Sequence, residues 1–391
     1  FDGEYILNPM WNYGNPINCD AAGMSDTQIT EIFNRVAEDY RPFNVNITTD
    51  EEIFLKAPED MRIRVIVTPT SSWFTGVGGI AFVGSFTWGD DTPCFVFCDR
   101  LKKKVKLVAE CCSHESGHTL GLSHQAKYDA TCTLTATYND GSGTGEIAWA
   151  PIMGNSYYRN MSGWNNGPTP YGCSNVQDNL SIITSQNGFS YRTDDYADDF
   201  STTTEINNPL MINIPGIIST NTDKDLIKMN LPQNTAFRLE ANPFSVNDNN
   251  EGADLDIKLS LFKSDKTLIA TYDPTNSMSV TIDTILMAGS YYLMVEGTGN
   301  SYAAEYGSLG SYTLTGVPGV LPICNATLAG EVEKTQHQLS WTLACEQVIK
   351  SVSLQQSTDA VNYTDIATIA LTQKNMNLDV YSSGEIFYRL K

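Results

Sequence analysis

From about residue 196 onward the chain is written in short alternating segments cut by Asn, Asp, Gly and Pro: "LIKMNL", "AFRLEA", "DLDIKLSLF", "SVTIDTI", "SYYLMVEG" and "GSYTLTGV". A period of two turns one face of a strand to a core and the other to water. Strands at this spacing, with no convincing helix among them, predict an antiparallel β-sandwich over 196–318. "GVPGVLP" (316–322) reads as a linker, and "HQLSWTL", "VSLQQS", "YTDIATI" and "IFYRL" begin a second sandwich over 319–391, which reaches Lys391 with no evident closing strand.

Residues 1–195 have another texture. "SDTQITEIFNRVAEDYR" opens on Ser25 as N-cap and sets Ile29, Ile32, Phe33, Val36 and Tyr40 at helical spacing up to Pro42. "RIRVIVTP" (62–69), "IAFVGSFTW" (80–88) and "CFVFCD" read as strands, rich in β-branched and aromatic residues. "LKKKVKLVAECCSHESGHTLGL", 101–122, reads as one long helix behind that sheet, with Val105, Val108, Ala109 and Cys112 on one side.

A chain of 391 residues is long enough for two or three domains, each with its own core. No apolar run approaches the roughly 18 residues of a membrane span, and "FDGEYILNP" has neither the basic nor the apolar region of an export signal. A formal charge of −21 argues against nucleic acid as partner, since phosphate binding rests on Lys and Arg. Nine cysteines suit an exported protein with disulfides, and their odd number leaves one thiol over. Cys94 and Cys98, at the ends of one strand, lie roughly 13 Å apart, too far to pair with each other. Cys111 and Cys112 point about 100° apart on a helix and take other partners behind the site. The expected pairs are Cys132 with Cys173 and Cys324 with Cys345.

The chain has four histidines, and three fall within "HESGHTLGLSH". Residues four apart share a helix face, so His114 and His118 present two imidazoles to one ion, with Glu115 within reach of a water held there. Gly121 supplies the left-handed residue that ends a helix and returns His124 to the same ion. Three imidazoles and a free fourth position describe catalytic zinc; structural zinc is usually closed by four protein ligands. Glu115 is then the general base. The fourth histidine, His337, stands on a strand of the tail and receives no role.

"HESGHTLGLSH" resembles the extended metzincin zinc-peptidase consensus in full, and "WAPIMGNSYY" (149–158) resembles that family's Met-turn. The resemblance implies an α/β zincin catalytic domain over 1–195, with a mixed sheet and an active-site helix, acting on protein or peptide substrates. It also implies that Met153 supports the zinc ligands from beneath. Two positions depart from the pattern. Gln125 follows the third histidine where many members carry a subfamily-marking residue. Asn155 stands where some members place a zinc- or oxyanion-contacting tyrosine, which leaves Tyr157 and Tyr158 as candidates for oxyanion or pocket residues.

The downstream segments "GADLDIKLSLF", "AGSYYLMVEG" and "YGSLGSYTLTG" are similar to pre-peptidase C-terminal β-sandwiches of secreted bacterial peptidases. "QLSWTLACEQ", "VSLQQSTDAVNYTDIATI" and "FYRLK" resemble the fibronectin-like domain that precedes the type IX sorting signal in Bacteroidetes. Together they imply a secreted enzyme of a Gram-negative bacterium, made as a zymogen, whose propeptide and sorting signal lie outside this sequence. They also imply sandwich modules that hold a polysaccharide or protein ligand. "NDNNEGADLD" (247–256) is either a solvated turn or a calcium site built on Asp248, Asp254 and Asp256. Two other functions stay open: an extracellular binding or adhesion protein with a degenerate zinc domain, and a zinc hydrolase of a non-peptide amide.

Overall fold

Two short strands, β1 (Gly3–Tyr5) and β2 (Ile17–Cys19), pair antiparallel ahead of the first helix, α1 (Asp26–Asp39). The structure, a computed structural model, describes residues 3–5, 11–201, 204–206, 213–318, 324–345, 351–370, 373–380 and 384–391. α1 starts on a capping box in which Ser25 Oγ accepts from Gln28 N and Gln28 Oε1 accepts from Ser25 N. Its apolar stripe is only partly buried, since Ile29 is exposed. The polar residues Arg35, Glu38 and Asp39 are buried instead. They face other parts of the molecule: Arg35 pairs with Glu31 and Glu251, and Glu38 accepts from Ser311 N at 2.5 Å.

After α2 (Glu51–Lys56), strands β3 (Val65–Thr68), β4 (Gly79–Ile80) and β5 (Cys94–Phe97) form a three-stranded sheet in the order β3-β5-β4. β5 is central, parallel to β3 and antiparallel to β4. α3 (Val105–Thr119) packs against it, and Phe95 and Phe97 of β5 are fully buried. Short pairs follow: β6 (Lys127–Tyr128) with β7 (Leu134–Ala136), β8 (Trp149–Pro151) with β9 (Met161–Gly163), and β10 (Asn166–Thr169) with β11 (Gly172–Asp178). α4 (Asn179–Gln186) closes this part.

The expected α/β zincin domain is corrected here. Among the described residues strand makes up 39 % and helix, 3-10 turns included, 16 %, with four α-helices, so the described chain is mostly β and shows no α/β zincin core. The segment 80–88 shows where the expectation failed. Only Ile80 continues β4; Gly84 turns left-handed at φ +76°, and Ser85–Thr87 form a 3-10 turn. The helix expected over 101–122 is shorter at both ends, with Lys102 and Lys103 in left-handed turns before Val105.

The next strands are β12 (Thr204–Ile206), β13 (Asn213–Ile218), β14 (Lys224–Leu231), β15 (Thr235–Pro243), β16 (Ile257–Lys263), β17 (Leu268–Tyr272), β18 (Val280–Leu286), β19 (Gly289–Gly297) and β20 (Gly310–Pro318). They form a five-stranded sheet, β12-β14-β19-β16-β17, and a four-stranded sheet, β13-β20-β15-β18. All their pairings are antiparallel except β12 with β14. Alternate residues turn inward, so Leu226 and Leu293 of one sheet and Leu239 and Ile282 of the other share a buried core. Phe1–Pro318 is one compact unit and Gly319–Lys391 another.

In the second unit β21 (Cys324–Glu333), β22 (Gln336–Cys345), β23 (Val352–Ser357), β24 (Thr364–Ile369), β25 (Asn375–Asp379) and β26 (Phe387–Leu390) form two three-stranded sheets, β21-β22-β25 and β24-β23-β26. Their core is Leu339, Trp341, Val352, Leu354 and Ile369. β26 supplies the closing strand on β23, and His337 packs against Tyr388 of β26.

A disulfide joins Cys132 and Cys173, with Cα atoms 5.7 Å apart. The β21–β22 register sets Cys324 opposite Cys345, whose side chains lie outside the described residues. Cys19, Cys94, Cys98, Cys111 and Cys112 are buried free thiols, which corrects the expected partners for the α3 cysteines and the single unpaired thiol. The physical reason is placement: α3 buries Cys111 and Cys112 in the core, where Cys111 Sγ faces Glu115 at 3.9 Å. No helix among the described residues is long and apolar enough to cross a membrane.

Candidate metal centre

α3 ends in a hydrogen-bonded turn built on Gly121. Gly121 N donates to His118 O at 2.9 Å and Leu122 N to Gly117 O at 3.1 Å, with Gly121 at φ +99°. This is the Schellman arrangement, which satisfies carbonyls at the helix end and reverses the chain. The reversal brings His124 Nε2 to 3.0 Å from His118 Nε2. His114, His118 and His124 each offer a ring nitrogen within 4.8 Å of the other two.

The outer nitrogens of the helical pair are occupied. His114 Nδ1 lies 2.7 Å from Ile152 O, and His118 Nδ1 lies 2.7 Å from Leu122 O. A backbone carbonyl there holds the proton on Nδ1 and aims the Nε2 lone pair inward, the arrangement that orients metal-ligating imidazoles. Burial lowers the pKa of all three rings, that of His124 to about 4, with the charge of His118 adding to the shift. All three are thus neutral donors at neutral pH.

Glu115 is almost fully buried one residue past His114. Its Oε1 accepts from Cys111 Sγ at 3.9 Å, and burial pushes its carboxyl up to about 8. β4 presses against it: a Cβ on Gly79 would lie 2.7 Å from Glu115 Cγ and Oε1 and 2.8 Å from Cys111 Sγ. Among the described residues β4 pairs only with β5, which makes it an edge strand of this sheet.

Met153 is fully buried beneath α3, where a Cβ on Gly117 would lie 2.5 Å from its sulfur. Met153 O accepts from Gln125 N at 2.8 Å, and Gln125 O in turn accepts from Asn139 N at 2.8 Å. Gln125 is fully buried, with Nε2 donating to Asn165 O and Gln177 O. It is thus a brace joining the residue after the third histidine to the turn below. Asn155 belongs to the same brace, its N–H donating to Asn139 O at 2.8 Å.

Tyr157 directs its hydroxyl toward Gly78 and the Cys111 thiol, and Tyr158 is exposed beside it. The aromatic ring packed on the histidines is Tyr138, whose centroid lies 4.3 Å from that of His124 and 6.3 Å from that of His114. Tyr138 went unnoticed in the sequence because it stands in a loop with no motif around it.

The carboxylates of 247–256 are dispersed. Asp248 is exposed, Asp254 is buried against Asp39, and Asp256 accepts from Asn300 Nδ2 at 2.9 Å. The acidic side chains that converge among the described residues are Asp194, Asp223 and Asp225.

No protein-family model matches the chain, and no curated protein matches it. Among solved structures it is similar to the pre-peptidase C-terminal domain of a Bacillus anthracis collagenase, at 15% identity and TM-score 0.22, covering 32% of this chain and 96% of that one. It is also similar to a β-1,2-glucanase from Parabacteroides distasonis, at 13% identity and TM-score 0.15, covering 41% of this chain and 26% of that one. A Ruminococcus gnavus β-glucuronidase aligns at 8% identity and TM-score 0.16, covering 43% of this chain and 31% of that one. Likeness at this level carries no functional argument.

Proposed function

We propose that this chain is a secreted zinc-dependent endopeptidase, with its metal on His114, His118 and His124 and Glu115 as general base. The observation that carries the reading is the convergence of three neutral ring nitrogens, two of them aimed by backbone carbonyls. That donor set fits zinc, which favours imidazole nitrogen and leaves a position for water when it catalyses. Bound there, zinc supplies Lewis-acid polarisation of a carbonyl and a water acidic near neutral pH.

The remaining work falls to the chain itself. Glu115 accepts a proton on its carboxylate from the attacking water and returns it to the leaving amine. Burial favours the protonated carboxyl, and Glu115 would ionise more readily with a cation held on the adjacent histidines. The outer edge of β4 holds an extended peptide by backbone hydrogen bonds, the common mode of strand addition. Tyr138 walls the centre beside His124. The metzincin resemblance of "HESGHTLGLSH" and the pre-peptidase C-terminal resemblance of the sandwich agree with this reading.

The test is hydrolysis of casein and of a peptide library by zinc-loaded protein, by chelated protein, and by Glu115→Gln with its zinc content measured. The expected result is cleavage lost on chelation and reduced roughly 10²- to 10⁴-fold in Glu115→Gln at full zinc occupancy. Full activity in that variant would remove Glu115 as base. Zinc-loaded wild type that cleaves no peptide would remove the peptidase reading.

A further inference from the structure

Glu110, Cys111 and Glu115 are all buried on α3, and Cys111 stands one turn before Glu115. Glu110 fastens the chain that follows Met153. Its carboxylate accepts from Ser156 Oγ, from Ser162 Oγ at 3.2 Å and from Lys106 Nζ at 2.6 Å. The 3-10 turn Ser156–Tyr158 is thereby held against α3, and Tyr157 on it reaches the Cys111 thiol with its hydroxyl. The thiol in turn donates to Glu115 Oε1 at 3.9 Å.

Two glycines make room for this row of side chains. A Cβ on Gly78 would lie 3.0 Å from the Tyr157 hydroxyl and 3.6 Å from Cys111 Sγ, and one on Gly79 would lie 2.8 Å from Cys111 Sγ and 2.7 Å from Glu115 Oε1. The hydroxyl, the thiol and the carboxyl thus follow one another along a single stretch of backbone. Burial, with the Glu115 charge adding to it, pushes the Cys111 pKa well up and keeps the thiol protonated. A thiol has one hydrogen to give; with the Tyr157 hydroxyl on its acceptor side, that hydrogen goes to Glu115. The last torsion of a glutamate is broad, so a carboxyl without such a contact turns freely about it.

We propose that Cys111 is a positioning residue for the general base: its thiol, steadied by Tyr157, holds Oε1 of Glu115 and leaves Oε2 to accept the proton. That Glu115 is the base rests on the peptidase reading, whereas the contact that holds it does not. A thiol suits the task because it is a weak donor. A strong donor on the carboxylate would favour its charged form and lower its basicity, and a thiol orients it with little of that effect. Tyr157 then works behind the base and not on the oxyanion.

The experiment pairs steady-state peptide hydrolysis by zinc-loaded full-chain variants with infrared spectra of the S–H stretch in the chelated chain. Cys111→Ala is expected to lower kcat by about 10-fold or more, with KM and zinc content unchanged. Cys111→Ser keeps a donor and recovers most of that loss, and Tyr157→Phe gives a smaller fall in kcat. In a Glu115→Gln background Cys111→Ala has no further effect, because the two side chains act as one unit. In the infrared, one S–H band vanishes in Cys111→Ala and moves to higher wavenumber in Glu115→Ala, where its acceptor is gone. Unchanged kcat in Cys111→Ala would overturn the proposal, as would a serine variant as slow as the alanine one, a full additional loss in the Glu115→Gln background, or a band unmoved in Glu115→Ala. Zinc-loaded wild type that cleaves no peptide would remove the peptidase reading instead, and the S–H band then decides by itself whether the thiol holds the carboxyl.

Discussion

Gly117 sits between His114 and His118 on α3, and its lack of a side chain lets the helix lie directly on Met153. Alanine there gains helix propensity by up to about 1 kcal/mol. It also places a methyl 2.5 Å from the Met153 sulfur and 3.5 Å from the Trp164 ring, both fully or nearly fully buried. Overpacking of this kind typically costs about 1–3 kcal/mol, so the steric term wins. Gly117→Ala is expected to lower stability by about 1–2 kcal/mol in urea melts and to weaken zinc in competition with a chromophoric chelator. A stabilised variant with unaltered zinc affinity would show that Met153 does not press on the ligands. At this scale the histidines and Glu115 were legible because a helical period and one glycine fix their placement locally. Gln125 and Tyr138 were not: the brace through Asn139 and the ring contact with His124 join positions that only the folded chain brings together.

Between elements, the decisive contact is β4 against α3. The segment 78–88 carries strand-forming residues, yet only Gly79 and Ile80 pair, because Gly84 turns left-handed and a 3-10 turn follows. Propensity was overruled by a turn that the apolar composition concealed. At Gly79 the two elements meet so closely that any Cβ overlaps Glu115. Gly79→Ala is therefore expected to shift the carboxylate while leaving the sheet register intact. A displacement of about 1 Å at a reacting group costs on the order of 10²-fold in rate, and the loss should appear in kcat with zinc content and circular dichroism unchanged. Full activity in this variant would place Glu115 outside the reacting geometry. The sandwich strands were legible throughout, since their two-residue alternation records burial directly. The α/β architecture rested on the resemblance of two short motifs, "HESGHTLGLSH" and "WAPIMGNSYY", and such motifs fix a helix end and a turn but no sheet around them.

At the scale of the whole molecule, the chain buries carboxyl groups that burial keeps protonated. Glu115 is raised to about 8 from 4.5, Asp225 to about 8 from 3.8 and Asp256 to about 7 from 3.8. Asp39, the last residue of α1, and Asp254, hydrogen-bonded to it, are raised by burial and by neighbouring acids. A folded pKa above the unfolded one means that the folded chain holds protons the unfolded chain releases. Their stabilising effect is full below the ordinary carboxylate range and is lost as pH rises through about 7 to 8. The three histidines act the other way. Their folded pKa values are lowered, so stability is lost as pH falls below 6.5, down to about 4 for His124. Between pH 6.5 and 8 the folded histidines are neutral while the unfolded ones shed their remaining protons, an opposing gain of about 0.4 kcal/mol each, so the carboxyls set the sign of the slope. The chelated chain is therefore expected to lose on the order of 2 kcal/mol or more between pH 6.5 and 8, from a slope of up to about 1.4 kcal/mol per unit for each such group. A cation on the three histidines would favour the ionised form of the adjacent Glu115, so zinc is expected to reduce the loss by that group's share. Urea melts at the two pH values, with chelator and with zinc, measure the difference. A chelated chain equally stable at both would mean that its buried acids are already ionised at pH 6.5.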